Sequence, residues 1–339
     1  LSIKVLVKKE ISDKIEGFSP ELKNRNHGNA VRGGEKKHYY LTMTVINWTQ
    51  SSTQGEKDLK YNYHGYIMHL KLSTKPMSHE EQKIYLYLES IEKNTFKVSE
   101  LDAKKFGMVP SYLYVLIGRL EKKGWITRVG KGVYLRLPAA TAVEGKVYLE
   151  DPFEVALKMF KGYLAFQSAL KVHGLSEYEP FTIYVATKTK SETVSLLKHY
   201  EIKAIKFGKR FTGFEKTGKY TVSTKAKTFF DCFYHPNYAG GYAEVLKSLH
   251  TAGTIDWKEM EKYLEKFGSS SICQKIGYLI SLLKETEYDH PQDFIDYLKG
   301  RIGNKTKLDF SQSGGSYNKE WMIIDNIGKK KLLSWWYNG

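Results

Sequence analysis

The chain has 339 residues, and its 53 lysines and arginines against 37 aspartates and glutamates give a formal net charge of +16. That surplus favours a polyanionic partner, and a hydrophobic content of 41% is ample for two or three packed domains. No apolar run approaches the roughly 18 residues of a membrane span, no signal-peptide pattern is visible, and Cys232 and Cys273 form no CxxC pair. The expectation is a cytoplasmic protein with no membrane contact, no zinc and no cofactor.

Residues 1–76 read as a separate segment, with Gly33-Gly34, Ser51-Ser52-Thr53-Gln54-Gly55 and little sustained periodicity. Strands are expected over 1–7, 39–45 and 66–72. The segment is expected to be an extension or a misread upstream region, the natural product starting at Met77; a small irregular β domain is the alternative. From Met77 the pattern sharpens. Ser78-His79-Glu80-Glu81 is a capping-box start, followed by an apolar stripe of Ile84, Leu88 and Ile91. Thr95–Val98 reads as a short strand, and Ser99-Glu100-Leu101-Asp102 opens a short helix ending near Gly107.

Pro110 fits a first helical position and Gly124 a stop, and between them Leu113, Leu116, Ile117 and Leu120 fall at helical spacing on one side. Ser111, Tyr112, Tyr114, Arg119 and Lys122 remain available on the others. Trp125–Val129 and Val133–Leu137 then flank Gly130-Lys131-Gly132 as a hairpin. Helix, strand, helix, turn, helix and hairpin follow the order of a winged helix-turn-helix. The 110–123 helix would read bases in a major groove, and the hairpin would be the wing. From Thr95 to Pro138 nine cations stand against three anions, a surplus of six (9 − 3).

The predicted DNA-contacting residues are Ser111, Tyr112, Tyr114, Arg119, Lys122, Arg128 and Lys131. Lys131, at the turn tip, is expected on a phosphate. Arg119 suits a guanine or a phosphate. One of Tyr112 and Tyr114 is expected to be structural, packing against the wing.

Ala139-Ala140-Thr141-Ala142 reads as a linker. Asp151-Pro152 opens a helix with Val155, Met159 and Phe160 on its apolar side, and residues 162–175 read as a second helix capped by Gly174. Strands are expected over 180–187, 202–207 and 220–222, then helices over 225–234, 243–250, 256–267, 272–283 and 291–298. The last stretch, Lys319 to Trp336, has strand-like apolar pieces around Lys329-Lys330-Lys331.

Three blocks of this region resemble a known family. Tyr163–Leu175, with Ser168-Ala169-Leu170-Lys171-Val172-His173-Gly174-Leu175, resembles the "sALxxHGL" segment of the AbiEi family. Thr182–Thr187 looks like that family's next strand. Lys225-Ala226-Lys227-Thr228-Phe229-Phe230-Asp231-Cys232, running on to Pro236-Asn237-Tyr238-Ala239-Gly240-Gly241, resembles its "EKTxxDC…P…aGG" block, with Ala226 where the family often has Glu. The resemblance spans about residues 77–300. It implies an antitoxin of a type IV toxin–antitoxin system, with an N-terminal DNA-binding winged helix and a C-terminal antitoxin domain. It also implies repression of its own promoter at inverted repeats and opposition to a nucleotidyltransferase-like toxin.

Hydrolytic chemistry is not expected. Ser168, His173, Asp231 and His235 have no nucleophile-elbow context, and His173 before Gly174 is better placed to serve a helix end. His79 and His290 form no metal pair, and Gly130-Lys131-Gly132 is not a phosphate-binding loop. The expected organisation is α+β: residues 1–76 of uncertain status, a winged helix-turn-helix over 77–138, and a larger mixed α/β antitoxin-like domain over 139–339. A stand-alone winged-helix regulator with a ligand-sensing or dimerising C-terminal domain is the alternative. A nuclease is a third reading, weakened by the lack of a carboxylate cluster to hold a metal.

Overall fold

The computed structural model describes residues 2–6, 40–44, 58–63, 66–71, 74–130, 132–143, 147, 149–197, 199–289 and 291–337, in a mixed α+β arrangement. The chain divides into two compact units, one of residues 1–94, 98–128 and 134–148, the other of 95–97, 129–133 and 149–339.

In the first unit β1 (Ser2–Leu6) pairs antiparallel with β2 (Tyr40–Thr44), and β3 (Asp58–Tyr63) with β4 (Tyr66–Lys71). Three of these strands match expectation. β3 does not, because Asp58, Lys60 and Asn62 are weak strand formers and pairing with β4 decides the matter.

Helix α1 (His79–Ser90) starts on the capping box: the Ser78 hydroxyl accepts from the Glu81 N–H and the Glu81 carboxylate from the Ser78 N–H. Ile84 and Leu88 are fully buried, but Ile91 lies past the helix end and is exposed. β5 (Thr95–Lys97) follows. The expected short helix is instead two 3-10 turns, Val98–Glu100 and Ala103–Phe106. Asp102 separates them: its backbone is extended, and its carboxylate accepts from the Lys104 N–H, capping the second turn alone. Helix α2 (Pro110–Lys122) and the hairpin of β6 (Ile126–Gly130) and β7 (Val133–Arg136) complete the run, with the strands side by side in the order β5, β7, β6. The expected linker is a short helix, α3 (Ala139–Val143). Alanine is the best helix former, and the Pro138 carbonyl accepts from both the Thr141 hydroxyl and the Ala142 N–H.

In the second unit Asp151 caps α4 (Pro152–Met159) through the Glu154 N–H. The next segment departs from the expected 162–175 helix. It is a strand, β8 (Gly162–Leu164), then α5 (Phe166–Val172). Tyr163 and Leu164 are both fully buried, and a strand buried on both faces has the same apolar run as a helix. Phe166, at φ 52°, turns the chain between the two elements.

β8 is interior to a six-stranded sheet with β9 (Thr182–Thr187), β10 (Glu192–Leu196), β11 (Tyr200–Lys206), β12 (Phe214–Thr217) and β13 (Tyr220–Ser223), in the order β10-β11-β9-β8-β13-β12. The β9–β11 and β8–β13 pairs are parallel and the others antiparallel. β10 and β12, at the edges, have too few apolar residues to register as strands in the sequence.

Helices α6 (Lys225–Tyr234), α7 (Tyr242–Ala252), α8 (Trp257–Phe267), α9 (Ser270–Leu282) and α10 (Gln292–Lys299) follow close to expectation. Their buried faces form an aromatic-rich core with Phe229, Phe230, Phe233, Phe294 and Trp321. Gly277 of α9 leaves room for the Trp321 ring, which a Cβ would strike. A small sheet of β14 (Thr306–Lys307), β15 (Ser316–Asn318) and β16 (Ile323–Asp325) follows. The strand-like pieces expected over 319–336 are strand only in β16, and the rest proves helical, α11 (Lys329–Leu332) and α12 (Ser334–Tyr337). The Asp325 carboxylate accepts from the Ile327 and Gly328 N–H groups and turns the chain out of the strand.

One polar pair sits inside the aromatic core. Lys227 and Asp231, one turn apart on α6, form a fully buried ion pair beneath Phe207, Phe230 and Tyr263. Burial pushes the Asp231 carboxyl up to about 6 and the Lys227 ammonium down, each against the pull of the other's charge. Asp231→Asn leaves Lys227 buried without a counter-charge and should cost about 3–5 kcal/mol in urea unfolding, whereas Lys227→Met with Asp231→Leu should recover most of that loss. A single Asp231→Asn change with no measurable cost would contradict this picture.

Candidate nucleic-acid interface

Helix α2 has no side-chain cap at its start, because Val109 offers no oxygen, and no acidic residue stands in its first turn. Its rotation is fixed by Leu113, Leu116, Ile117 and Leu120, all buried. The opposite face therefore points outward, and it carries Ser111, Val115, Gly118, Arg119 and Lys122, with Tyr112 and Tyr114 on its two flanks.

Tyr112 is 38% exposed and Tyr114 56%. Neither ring stacks on another aromatic ring among the described residues. Ser111, Arg119 and Lys122 are exposed, and none makes a side-chain hydrogen bond or ion pair among the described residues. Arg128 is exposed on β6 and is engaged in a contact of its own. Lys131 lies outside the described residues. Val115, 48% exposed in the middle of the outward face, was not among the expected contacts. The signal was present in the sequence, since Val115 falls four residues after Ser111 and off the buried stripe.

Two of the nine cations of this region are internal. Arg136 is buried and donates to Asn94 Oδ1 (2.7 Å) and Glu89 Oε1 (3.4 Å). Lys123 donates to Glu81 Oε2 (2.5 Å), and Glu81 is 1% exposed. Their partners stand outside the 95–138 window, where the sequence count did not see them. Burial alone would raise the Glu81 carboxyl, but the Lys123 ammonium and the Ser78 N–H outweigh it and hold it below its usual range. Glu81 thus ties the start of α1 to the end of α2.

The residues that suggested hydrolysis are engaged separately. The Ser168 hydroxyl accepts from the Tyr184 N–H at 2.9 Å. His173 stands at the end of α5, with Nε2 2.7 Å from the Ser223 carbonyl. Asp231 pairs with Lys227, and His235 lies beside Arg210. Among the described residues no side-chain hydrogen bond joins any two of the four; Asp231 and His235 meet only through the backbone, where the His235 N–H donates to the Asp231 carbonyl at 2.8 Å. Among those residues no three His, Cys, Asp or Glu side chains gather as a metal site, and no helix is long and apolar enough to cross a membrane.

Residues 83–136, from within α1 to the end of β7, match the model of a family described as "Transcriptional regulator, AbiEi antitoxin". The matched segment contains the whole of α2 and does not include the blocks at 163–241 that carry the resemblance in the sequence. None of the curated proteins matches the chain.

Glu81→Gln should cost about 1.5–3 kcal/mol at neutral pH, toward the lower end because Lys123 is partly solvated. A carboxylate held low stabilises above its unfolded pKa of about 4.3 and loses that contribution as pH falls through the folded value. The gap between wild type and variant in urea titrations should therefore close below about pH 4; a gap constant with pH would contradict it. His173 moves stability in the same direction with pH, although here it is the neutral form that the fold favours. Burial lowers its imidazole, outweighing the pull of the Ser223 carbonyl. An unfolded imidazole takes up its proton near pH 6.5, so this site favours unfolding as pH drops below about 6.5 and has no effect above it. His173→Gln should lose less stability than wild type as pH falls below about 6.5, and superimposable profiles would contradict the assignment.

Proposed function

We propose that this chain is a transcriptional regulator that binds double-stranded DNA through a winged helix-turn-helix over residues 77–138. In this reading α2 lies in the major groove, its first turns meet base edges, and the β6–β7 hairpin is the wing that rests on the backbone. The observation that carries the reading is the outward face of α2. It presents a hydroxyl, two tyrosines and two cations with no partner among the described residues, within a segment matching a regulator family.

Ser111, Tyr112 and Tyr114 are assigned to bases or sugars near the helix start. Arg119 and Lys122, toward its end, are assigned to phosphates or a guanine, and Arg128 and Lys131 to phosphates beside the wing. The bare N–H of Ser111 adds a phosphate donor, since Val109 does not cap it. No step of this function requires catalysis or a cofactor.

The finer reading is an antitoxin that represses its own promoter at inverted repeats in the cytoplasm and opposes a nucleotidyltransferase-like toxin through residues 139–339. It is supported by the antitoxin description of the matched family and by the blocks at 163–241. The confinement of the match to residues 83–136 favours a second reading, a stand-alone regulator whose C-terminal unit senses a ligand or dimerises. The neighbouring open reading frame separates them: a nucleotidyltransferase gene supports the antitoxin, and its absence the stand-alone regulator.

Binding to a duplex from its own promoter should weaken steeply with salt, each neutralised phosphate adding about −0.9 to the logarithmic slope. Lys122→Ala should reduce that slope by about one, uniformly across sequences. Combined Ser111→Ala, Tyr112→Ala and Lys131→Ala should abolish specific binding in fluorescence anisotropy. Unchanged affinity of the triple variant would show that the reading surface lies elsewhere.

A further inference from the structure

The central line of the outward face of α2 runs Ser111, Val115, Gly118, Lys122, at i, i+4, i+7 and i+11. Its two ends suit a polyanion. Its middle is a branched apolar side chain followed by a glycine, and neither choice helps the isolated helix. Valine loses χ1 freedom in a helix, and at 48% exposure Val115 gains little burial in return. A glycine within a helix is destabilising relative to alanine. Packing does not require Gly118, since a Cβ there would meet nothing within 4 Å, and its backbone needs no positive φ. Both residues stand where the helix would come nearest to a partner lying across this face.

On the premise that α2 enters a major groove, we infer that Val115 reads the C5-methyl group of a thymine, and that Gly118 keeps the next turn shallow so that the helix sinks far enough to reach it. The thymine methyl is the one apolar group on a base edge in that groove, and branched or small apolar side chains complement it. Val115 is the sixth residue of the helix, in the half that meets base edges. Val115 is therefore a specificity-determining residue, and Gly118 a positioning one.

The test uses the full chain. A duplex is enriched from a random-sequence library by the wild-type protein, and each thymine is then replaced in turn by deoxyuridine, which removes only the methyl. One replacement should weaken wild-type binding about three- to tenfold, the scale of one buried methyl with good packing. Val115→Ala should bind the thymine duplex more weakly by a similar factor and be indifferent to that same replacement. Gly118→Ala should raise the melting temperature, as alanine favours the helix, and yet weaken binding at least about tenfold. Because Val115 is exposed and a Cβ at Gly118 meets nothing within 4 Å, unchanged or raised melting temperatures separate lost contact from lost fold. An enriched duplex on which no methyl deletion distinguishes wild type from Val115→Ala, or full affinity in Gly118→Ala, overturns the inference alone. A library yielding no enriched duplex overturns the DNA reading and this inference with it.

Discussion

Leu113, Leu116, Ile117 and Leu120 decide which way helix α2 faces, and everything proposed for the protein depends on that orientation. All four are buried within one 13-residue helix. A helix that buries such a stripe cannot rotate by even a quarter turn without exposing about half of it, at a cost of some 1.5–3 kcal/mol per side chain. The stripe therefore presents Ser111, Tyr112, Val115, Arg119 and Lys122 to solvent as a consequence of packing. The Lys123–Glu81 contact adds a second constraint, because it fastens the C-terminal end of α2 to the N-terminal turn of α1. Rotation and tilt are both set by packing and by one ion pair behind the outward face, which is what the proposed reading surface needs.

Charge is divided on similar lines. Lys123 and Arg136 are consumed internally, on Glu81 and Glu89, whereas Arg119 and Lys122 are left to the surface. A basic protein can bind polyanions without selectivity. The inward pairing of some cations and the placement of others along one helix face convert a bulk surplus into a directed one. In the second unit the Lys227–Asp231 pair is wholly internal, shut beneath aromatic rings. It belongs to the packing of α6 and has no accessible surface for chemistry.

Much of this was legible in the residues. The Ser78/Glu81 capping box, the α2 stripe, strands β6 and β7 and helices α6 to α10 all have local signatures that fix both type and position. The misreadings have a common physical origin. β8 carries Tyr163 and Leu164, apolar on both faces, so its run is indistinguishable from a buried helix until neighbouring strands are known. Asp102 splits an apparent helix because a capping carboxylate is equally at home in a short turn. Ala139–Val143 looks like a linker of small residues, yet alanines after a proline fold locally as helix. The inward fate of Lys123 and Arg136 was hidden because their partners lie some 40 residues or more earlier in sequence. Val115 is marked in the sequence only by its place off the buried stripe, because an apolar side chain carries no polar group to single it out as a contact.

Photocrosslinking tests the orientation of α2 against DNA most directly. A photoreactive phenylalanine analogue placed at Tyr112 or Tyr114 should crosslink to a duplex from the protein's own promoter, in a salt-sensitive manner. The same probe at Tyr317, in the second unit, should not. Crosslinking from Tyr317 with none from α2 would contradict the account, as would the absence of any protein–DNA adduct at low salt.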